Sequence, residues 1–279
     1  MPDPDLFNRN EISIAAIVVT FNPDERLIRS ISSLVQVVNY ILLVDNNSKD
    51  NDVLDQVKQD LNNSKYEIIF LDSNRGIAGA LNYGIQYILN KYNFTYILTM
   101  DQDTILNTKN LSVFINEANK RWKNVGLIAL GSDGTSKKHP LRMKKYAITS
   151  GNLISTVVLS KIKFREEFFM DQVDFDFDYD LRSLGYIIIL VEGYLLDHRL
   201  GTRDGIFSHE SPVRIYYMIR NSTVLLKEKK LPLYKYIIQL VSWLPSSLIE
   251  FGVVEYYKIF KKAIRDALSG NLGPNNKDF

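Results

Sequence analysis

Cysteine occurs nowhere in the 279 residues. Its absence excludes a disulfide framework and a thiolate metal site, and it fits a cytoplasmic setting. Charge of one sign is not in excess, because 34 basic and 32 acidic side chains leave +2. Composition therefore gives no reason to expect a nucleic-acid partner. No uninterrupted apolar run reaches the roughly 18 residues that cross a bilayer. The opening MPDPDLFNRNE is polar and acidic, unlike a secretory leader. No GxGxxG follows the first apolar run and there is no P-loop, so the usual dinucleotide signature is unsupported. What remains is ordinary globular composition, 46% hydrophobic and 24% charged. The length suits one large α/β domain, or one domain with an appendage.

Over the first half, short apolar runs alternate with longer amphipathic segments. Residues 12–21, 40–45, 66–72 and 96–101 read as strands, with helices over 23–37, from about 50 through 61, and over 78–91. The strands are rich in Ile, Leu and Val without alternation, so they are expected to be buried on both faces of a parallel, Rossmann-like sheet. Each ends in polar residues: Thr20 and Asn22, then Asp45 to Asn47, then Asp72 and Asn74, then Asp101 and Asp103. Carboxyl ends of parallel strands line the ligand crevice of an open sheet, which puts four polar tips on one edge. Helix capping accounts for Asp24 or Ser48. It does not explain two aspartates one residue apart in MDQDT. Adjacent carboxylates repel, and a hard divalent cation such as Mg²⁺ or Mn²⁺, sharing its shell with substrate phosphates, is the partner that suits them. A solvated turn capping a helix is the alternative reading of that motif alone.

Six stretches taken together resemble glycosyltransferase family 2 enzymes of the GT-A fold. They are VVTFNPD (18–24), LLVDNNSKD (42–50), NRGIAGALNYGI (74–85), MDQDT (100–104), SGNLIS (150–155) and FREEFFMDQVDFDFDYDLRSLGY (164–186). The forms NRGIAGALN and DQDT, and the tail RDALSGNLG (265–273), look most like the bacterial rhamnosyltransferases of that family, which use dTDP-L-rhamnose. The resemblance implies that Thr20 and Asn22 border the nucleotide and that Asp45 accepts from the pyrimidine base. It places Asn74, Arg75 and Gly76 beside base and ribose, and Gln102 among the donor-binding residues. Asp101 and Asp103 match the metal–diphosphate motif, with Asp103 the direct ligand. His198, after the acidic segment, matches a histidine near diphosphate or metal; His209, Arg199 and Arg203 are further polar candidates nearby. SGNLIS would lie under the acceptor site.

The run MDQVDFDFDYD carries Asp171, Asp174, Asp176, Asp178 and Asp180. So many carboxylates cannot all be buried and ionised. On a helix Asp174 and Asp178 share a face and Asp176 points elsewhere. Where the family usually has Glu-Asp this chain has Val173-Asp174, a form that rhamnosyltransferase-like members share. Asp174 is the expected general base of an inverting transfer, with Asp171 second. Asp178 and Asp180 are expected on a solvated helix N-terminus.

Beyond Arg220 the chain turns helical, aromatic and basic. Ile249, Val253, Tyr256, Phe260, Ala263 and Ala267 trace one apolar stripe, with Lys258, Lys262 and Arg265 on another face. Such a helix suits a membrane interface, or equally the protein core or a dimer partner. The expected organisation is a GT-A catalytic domain over 1–220, with a nucleotide half to about 104 and an acceptor half beyond. An amphipathic helical region follows over 221–279. The expected activity is transfer of L-rhamnose from dTDP-L-rhamnose to a saccharide or lipid-linked saccharide acceptor for bacterial surface polysaccharide. The setting is cytoplasmic, peripheral to the plasma membrane, with Mg²⁺ or Mn²⁺ as cofactor. A UDP-sugar galactosyl-, galactofuranosyl- or N-acetylglucosaminyltransferase, a nucleotide-diphosphate hydrolase and a non-catalytic nucleotide-binding scaffold are the other readings.

Overall fold

All seven residues of β1 (Ile14–Thr20) are buried, but they serve two cores. Side chains alternate across a strand, so Ala15, Ile17 and Val19 pack on one face of the sheet and Ile14, Ala16 and Val18 on the other. A sheet with such strands needs helices on both sides. The structure, a computed structural model, supplies them; it describes residues 11–60, 65–134, 139–197, 203–204, 207–208 and 211–274.

The first half runs β1, α1 (Arg26–Leu34), β2 (Tyr40–Asp45), α2 (Asp52–Asp60), β3 (Tyr66–Phe70), α3 (Gly76–Lys91) and β4 (Tyr96–Asp101). After it come β5 (Ile105–Leu106), α4 (Leu111–Arg121), β6 (Val125–Leu130), β7 (Ser132–Asp133), β8 (Leu141–Lys144), β9 (Asn152–Ser155) and α5 (Thr156–Leu159). A 3-10 turn (Glu166–Phe168) leads into α6 (Val173–Ser183). Next are β10 (Ile187–Val191), β11 (Gly193–Tyr194), β12 (Leu196–Asp197), β13 (Arg203–Asp204) and β14 (Phe207–Ser208), and the chain ends in α7 (Pro212–Lys227) and α8 (Leu233–Ser269).

Eight strands form the main sheet in the order β3-β2-β1-β4-β9-β6-β10-β8. The β3-β2-β1-β4 half is wholly parallel, as the apolar runs predict. Its register sets Thr20 beside Asp45 and Val19 beside Asp101, so the polar strand tips do meet on one edge. β9 enters between β4 and β6 antiparallel to both. Its start therefore lies where β4 ends, which delivers Ser150 and Asn152 of SGNLIS to the aspartate edge. Helices α3, α5 and α6 cover one face; α1, α2 and α4 cover the other.

A third apolar cluster joins α7 to the end of α8, with Ile215, Tyr216, Tyr217 and Ile219 against Ile259 and Ala263. The boundary expected at 220/221 falls inside α7. Helix α8 is broken at Gly252 (φ 77°, ψ 170°). The apolar stripe consequently fails as one continuous face. Ile259, Ala263 and Ala267 are buried, whereas Ile249 and Val253 are 70% and 68% exposed. The expectation that no segment could span a bilayer is also corrected: α8 is long and apolar enough by length and composition. It is one 18-residue stretch within α8, apolar on average rather than without interruption, that meets the criterion.

Candidate active site

The polar edge of the sheet begins with a buried cluster. Thr20 Oγ1 donates to Asp45 Oδ1 (3.0 Å), as does Ser48 Oγ (2.5 Å), while Ser48 N–H reaches Asp45 Oδ2 (2.9 Å). Thr20 and Asp45 are 0% and 1% exposed, and their bonds tie the end of β1 to the turn after β2. Asn22 stays at the surface with a left-handed backbone (φ 45°); its Oδ1 accepts from Lys49 N–H and its own N–H reaches Ser48 Oγ. Gln102 braces the β1 end, its Oε1 accepting from Phe21 N–H at 2.8 Å.

The Asn74–Gly76 turn is held by Asn46, a residue the sequence reading grouped with the strand tip and gave no role. Asn46 Nδ2 donates to Asn74 Oδ1 (3.0 Å) and its Oδ1 accepts from Arg75 N–H (2.8 Å). Arg75 pairs with Asp72 at 2.9 Å and extends over the ring of Tyr83. Gly76 takes φ 68°, and a Cβ there would sit 2.2 Å from the Phe169 carbonyl oxygen. Only glycine permits that approach. It joins the Asn74–Gly76 turn to the loop that carries the acids.

Asp101 is half-buried at the end of β4, with its N–H donating to Ser150 Oγ (3.0 Å). The Asp103 side chain is 22% exposed, with Arg26 Nη1 3.3 Å from its Oδ2. Arg26 is held more closely by Asp24, at 2.8 to 3.0 Å, and that guanidinium keeps the Asp24 carboxyl below its usual range. A cleft of about 360 Å³ opens beside Asp101, lined by Ser150, Asp171, Gln172, Asp174 and Arg214 among others. Both base candidates thus share one cleft with the first aspartate of MDQDT. Asp174, in the first turn of α6, accepts from Phe175 N–H at 2.9 Å. Burial pushes its carboxyl up to about 6, and the charges of Asp171 and Asp101 add to the rise.

The other acids separate. Asp176 is buried away from the cleft against Lys230 (2.7 Å). Asp180 is met by the same lysine at 2.8 Å. Asp178 corrects the expectation of a solvated acid: it is 1% exposed and accepts from Ala147 N–H at 2.6 Å. Burial pushes it up to about 8. Helical spacing puts Asp178 one turn beyond Asp174 on the same face, and that face turns inward. His198, His209 and Arg199 lie outside the described residues, as does the side chain of Arg203. Arg214 was missed. It lines the cleft from α7, its Nε 3.2 Å from Asp171 Oδ1, a contact across 43 positions that no local motif announces.

With this arrangement in place, comparison with known proteins gives a family. The model of glycosyl transferase family 2 matches residues 15–179, more than half the chain. The chain belongs to glycosyl transferase family 2. As a member it is a glycosyltransferase. It is 29% identical to the dTDP-rhamnosyl transferase RfbF of Shigella flexneri, over 94% of this chain and 97% of that one. Among solved structures it shares its fold with the mannosyltransferase PcManGT from Pyrobaculum calidifontis in complex with GDP-Man and Mn²⁺. That match has a TM-score of 0.62 at 14% identity and covers 97% of this chain and 76% of the other. S. aureus TarS 1-349 in complex with UDP-GlcNAc gives 0.57 at 16%, covering 92% and 81%. The chain spans 49% of a longer TarS structure. This family 2 enzyme therefore has the GT-A-like mixed sheet expected of it, with a C-terminal helical extension.

Proposed function

We propose that the enzyme transfers L-rhamnose from dTDP-L-rhamnose, with inversion, to a saccharide or lipid-linked saccharide acceptor in bacterial surface-polysaccharide assembly. Identity to RfbF over nearly the full length of both chains supports the donor. The placing of Asp174, beside Asp101 and Asp171 in one cleft, supports the chemistry. In this reading residues 1–104 hold the nucleotide, and Ser150 and the β9 edge lie under the acceptor. Thr20, Asp45 and Asn46 shape the nucleotide site from within; Asn22, Asn74, Arg75, Gly76 and Gln102 border it.

Asp174 acts as base. As the acceptor oxygen attacks the anomeric carbon, Asp174 takes the hydroxyl proton, and the glycosidic C–O electron pair departs with the diphosphate. A carboxylate poised near 6 is mostly ionised at pH 7 and still basic enough to help. Asp171, engaged by Arg214, is the second choice.

The residues fit a divalent ion. Mg²⁺ or Mn²⁺ takes one or two carboxylates and fills its shell with water and substrate phosphate. Asp101 and Asp103 offer two such oxygens, and the Arg26 contact to Asp103 is the looser of that arginine's two pairings. Asp103 and Asp101 would hold the ion, which supplies charge to stabilise the leaving diphosphate.

A membrane surface suits a lipid-linked acceptor. Tyr234, Ile237, Ile238, Val241, Ile249, Val253 and Val254 are exposed along α8, with Lys258, Lys261 and Arg265 beyond. Apolar side chains flanked by cations fit an anionic lipid interface.

The deciding assay is release of free nucleotide from dTDP-L-rhamnose and from UDP-sugars, with Mn²⁺ or EDTA, with and without a saccharide acceptor. Metal- and acceptor-dependent release of dTDP is expected. Preference for a UDP-sugar would replace the donor, acceptor-independent release would indicate hydrolysis, and no release from any donor would leave a scaffold.

A further inference from the structure

Three of the four residues from Phe169 to Gln172 have left-handed backbones, and none is glycine: Phe169 φ 65°, Asp171 φ 53° and Gln172 φ 61°. Phe169 (ψ −63°) is the centre of a γ-turn closed by Met170 N–H to the Phe168 carbonyl at 2.7 Å. That hand of the turn is the strained one. Residues in such wells persist only where the surroundings over-determine them. This loop carries Asp171 and opens the helix of Asp174.

The over-determination comes from α7. Asn221 Nδ2 lies 3.0, 2.7 and 2.9 Å from the carbonyls of Phe168, Met170 and Asp171, two hydrogens shared among three acceptors. Arg220 Nη2 donates to the carbonyls of Glu167 (2.9 Å) and Phe168 (3.2 Å), and its Nη1 to that of Gly273 (2.7 Å). Gly273 N–H in turn donates to the Glu167 carbonyl at 2.7 Å. Arg220 and Asn221 are 1% and 0% exposed, and Arg220 Nε is satisfied by Asn221 Oδ1 at 3.0 Å. Burying a guanidinium against carbonyls and tyrosine rings is a costly way to build a core. On the far side of the loop, the Phe169 carbonyl accepts from the N–H of Ile77 at 2.8 Å, the residue that follows the Asn74–Gly76 turn.

We propose that Arg220 and Asn221 are positioning residues for transfer. From outside the cleft they hold residues 167–172 in a backbone the loop would not keep alone, and through it they aim Asp171 and Asp174 at the donor. The C-terminal helices and the tail at Gly273 then belong to the catalytic unit, and Phe169 couples the donor turn to the base. The inference rests on the proposed reading of this cleft as the transfer site.

Asn221→Asp tests it, because it keeps the volume and removes the amide donors. The variant, folded by circular dichroism, is expected to bind dTDP with Mn²⁺ as wild type does and to lose about a hundredfold in kcat, the scale of a misplaced catalytic group. The acid limb of its pH–rate profile should move to lower pH as Asp174 becomes solvated. Amide exchange at Phe169, Met170 and Ile77 should quicken by about tenfold or more as the loop opens locally. Arg220→Lys, which keeps the charge and loses the fork, is read the same way and carries the test if Asn221→Asp does not fold. Wild-type kcat and acid limb in both variants, or nucleotide affinity and kcat falling in parallel, would overturn the proposal. Unchanged exchange would overturn it too, and that readout stands even if dTDP-L-rhamnose proves to be the wrong donor.

Discussion

Replacing Asp174 by asparagine should stabilise the enzyme while disabling it. The Asp174 carboxyl is raised from 3.8 to about 6, chiefly by burial, with Asp171 and Asp101 adding repulsion. At about 1.36 kcal/mol per pKa unit, the difference is worth about 3 kcal/mol, and about 2 kcal/mol after allowing for the solvent that reaches a half-buried side chain. The sign follows from proton linkage. An acid whose folded value is raised holds its proton more tightly when folded, so its contribution is intact below about 4 and is lost as pH rises through 6. Asparagine is neutral throughout, and its Oδ1 can still accept from Phe175 N–H. Asp174→Asn should therefore melt about 4 °C higher than wild type at pH 8, given roughly 2 °C per kcal/mol for a chain of this size. The gain should vanish near pH 4. Transfer should fall by about 10²- to 10⁴-fold, the usual contribution of a general base, with nucleotide binding retained. Thermal melts at both pH values and a turnover assay decide it. Equal or lower stability at pH 8, or unchanged turnover, would refute the assignment.

Three further outcomes are expected. Gly76→Ala combines a left-handed backbone with a clash against Phe169, so the donor KM should rise by about tenfold or more, read against the unchanged fold by circular dichroism. Chelation should abolish transfer and added Mn²⁺ restore it, and Asp103→Asn should raise the Mn²⁺ concentration needed for half activity by about tenfold, measured by metal titration. Paired Ile238→Asp and Val241→Asp, both at exposed positions, should weaken co-sedimentation with anionic vesicles without altering transfer to a water-soluble acceptor. Loss of a dimer in that variant would instead make α8 a contact between copies.

Much of the first half of the chain was legible because its signals are local. Strands Tyr40–Asp45 and Tyr96–Asp101 coincide with the apolar runs, since a parallel strand buried on both faces must be apolar throughout. Their polar tips needed only the parallel topology to meet. The acid helix was legible in part. Spacing placed Asp174 and Asp178 on one face, yet a solvated Asp178 was expected, because its Ala147 partner comes from a loop 31 residues away. The apolar stripe through α8 kept its period across Gly252, but the chain did not keep its helix there. Arg214 and Arg220 fell at the end of the expected catalytic domain and Asn221 at the start of the basic, aromatic extension, and none was given a role. Their partners lie some 43 to 53 residues off, a distance at which one sequence carries no pairing information. Strand β9 was seen as the acceptor floor but not as an antiparallel insertion, for four apolar-centred residues do not reveal direction.

The account depends most on donor diphosphate meeting the aspartates at the end of β4, with the sugar turned toward α6. A crystal structure with dTDP and Mn²⁺ tests this directly. The expected result is an anomalous Mn²⁺ peak at about 2.2 Å from an Asp103 carboxylate oxygen, bridged to the diphosphate, with the thymine ring beside Asn22 and Arg75 and open space between the β-phosphate and Asp174. Nucleotide bound elsewhere, with no metal at Asp101 and Asp103, would contradict it.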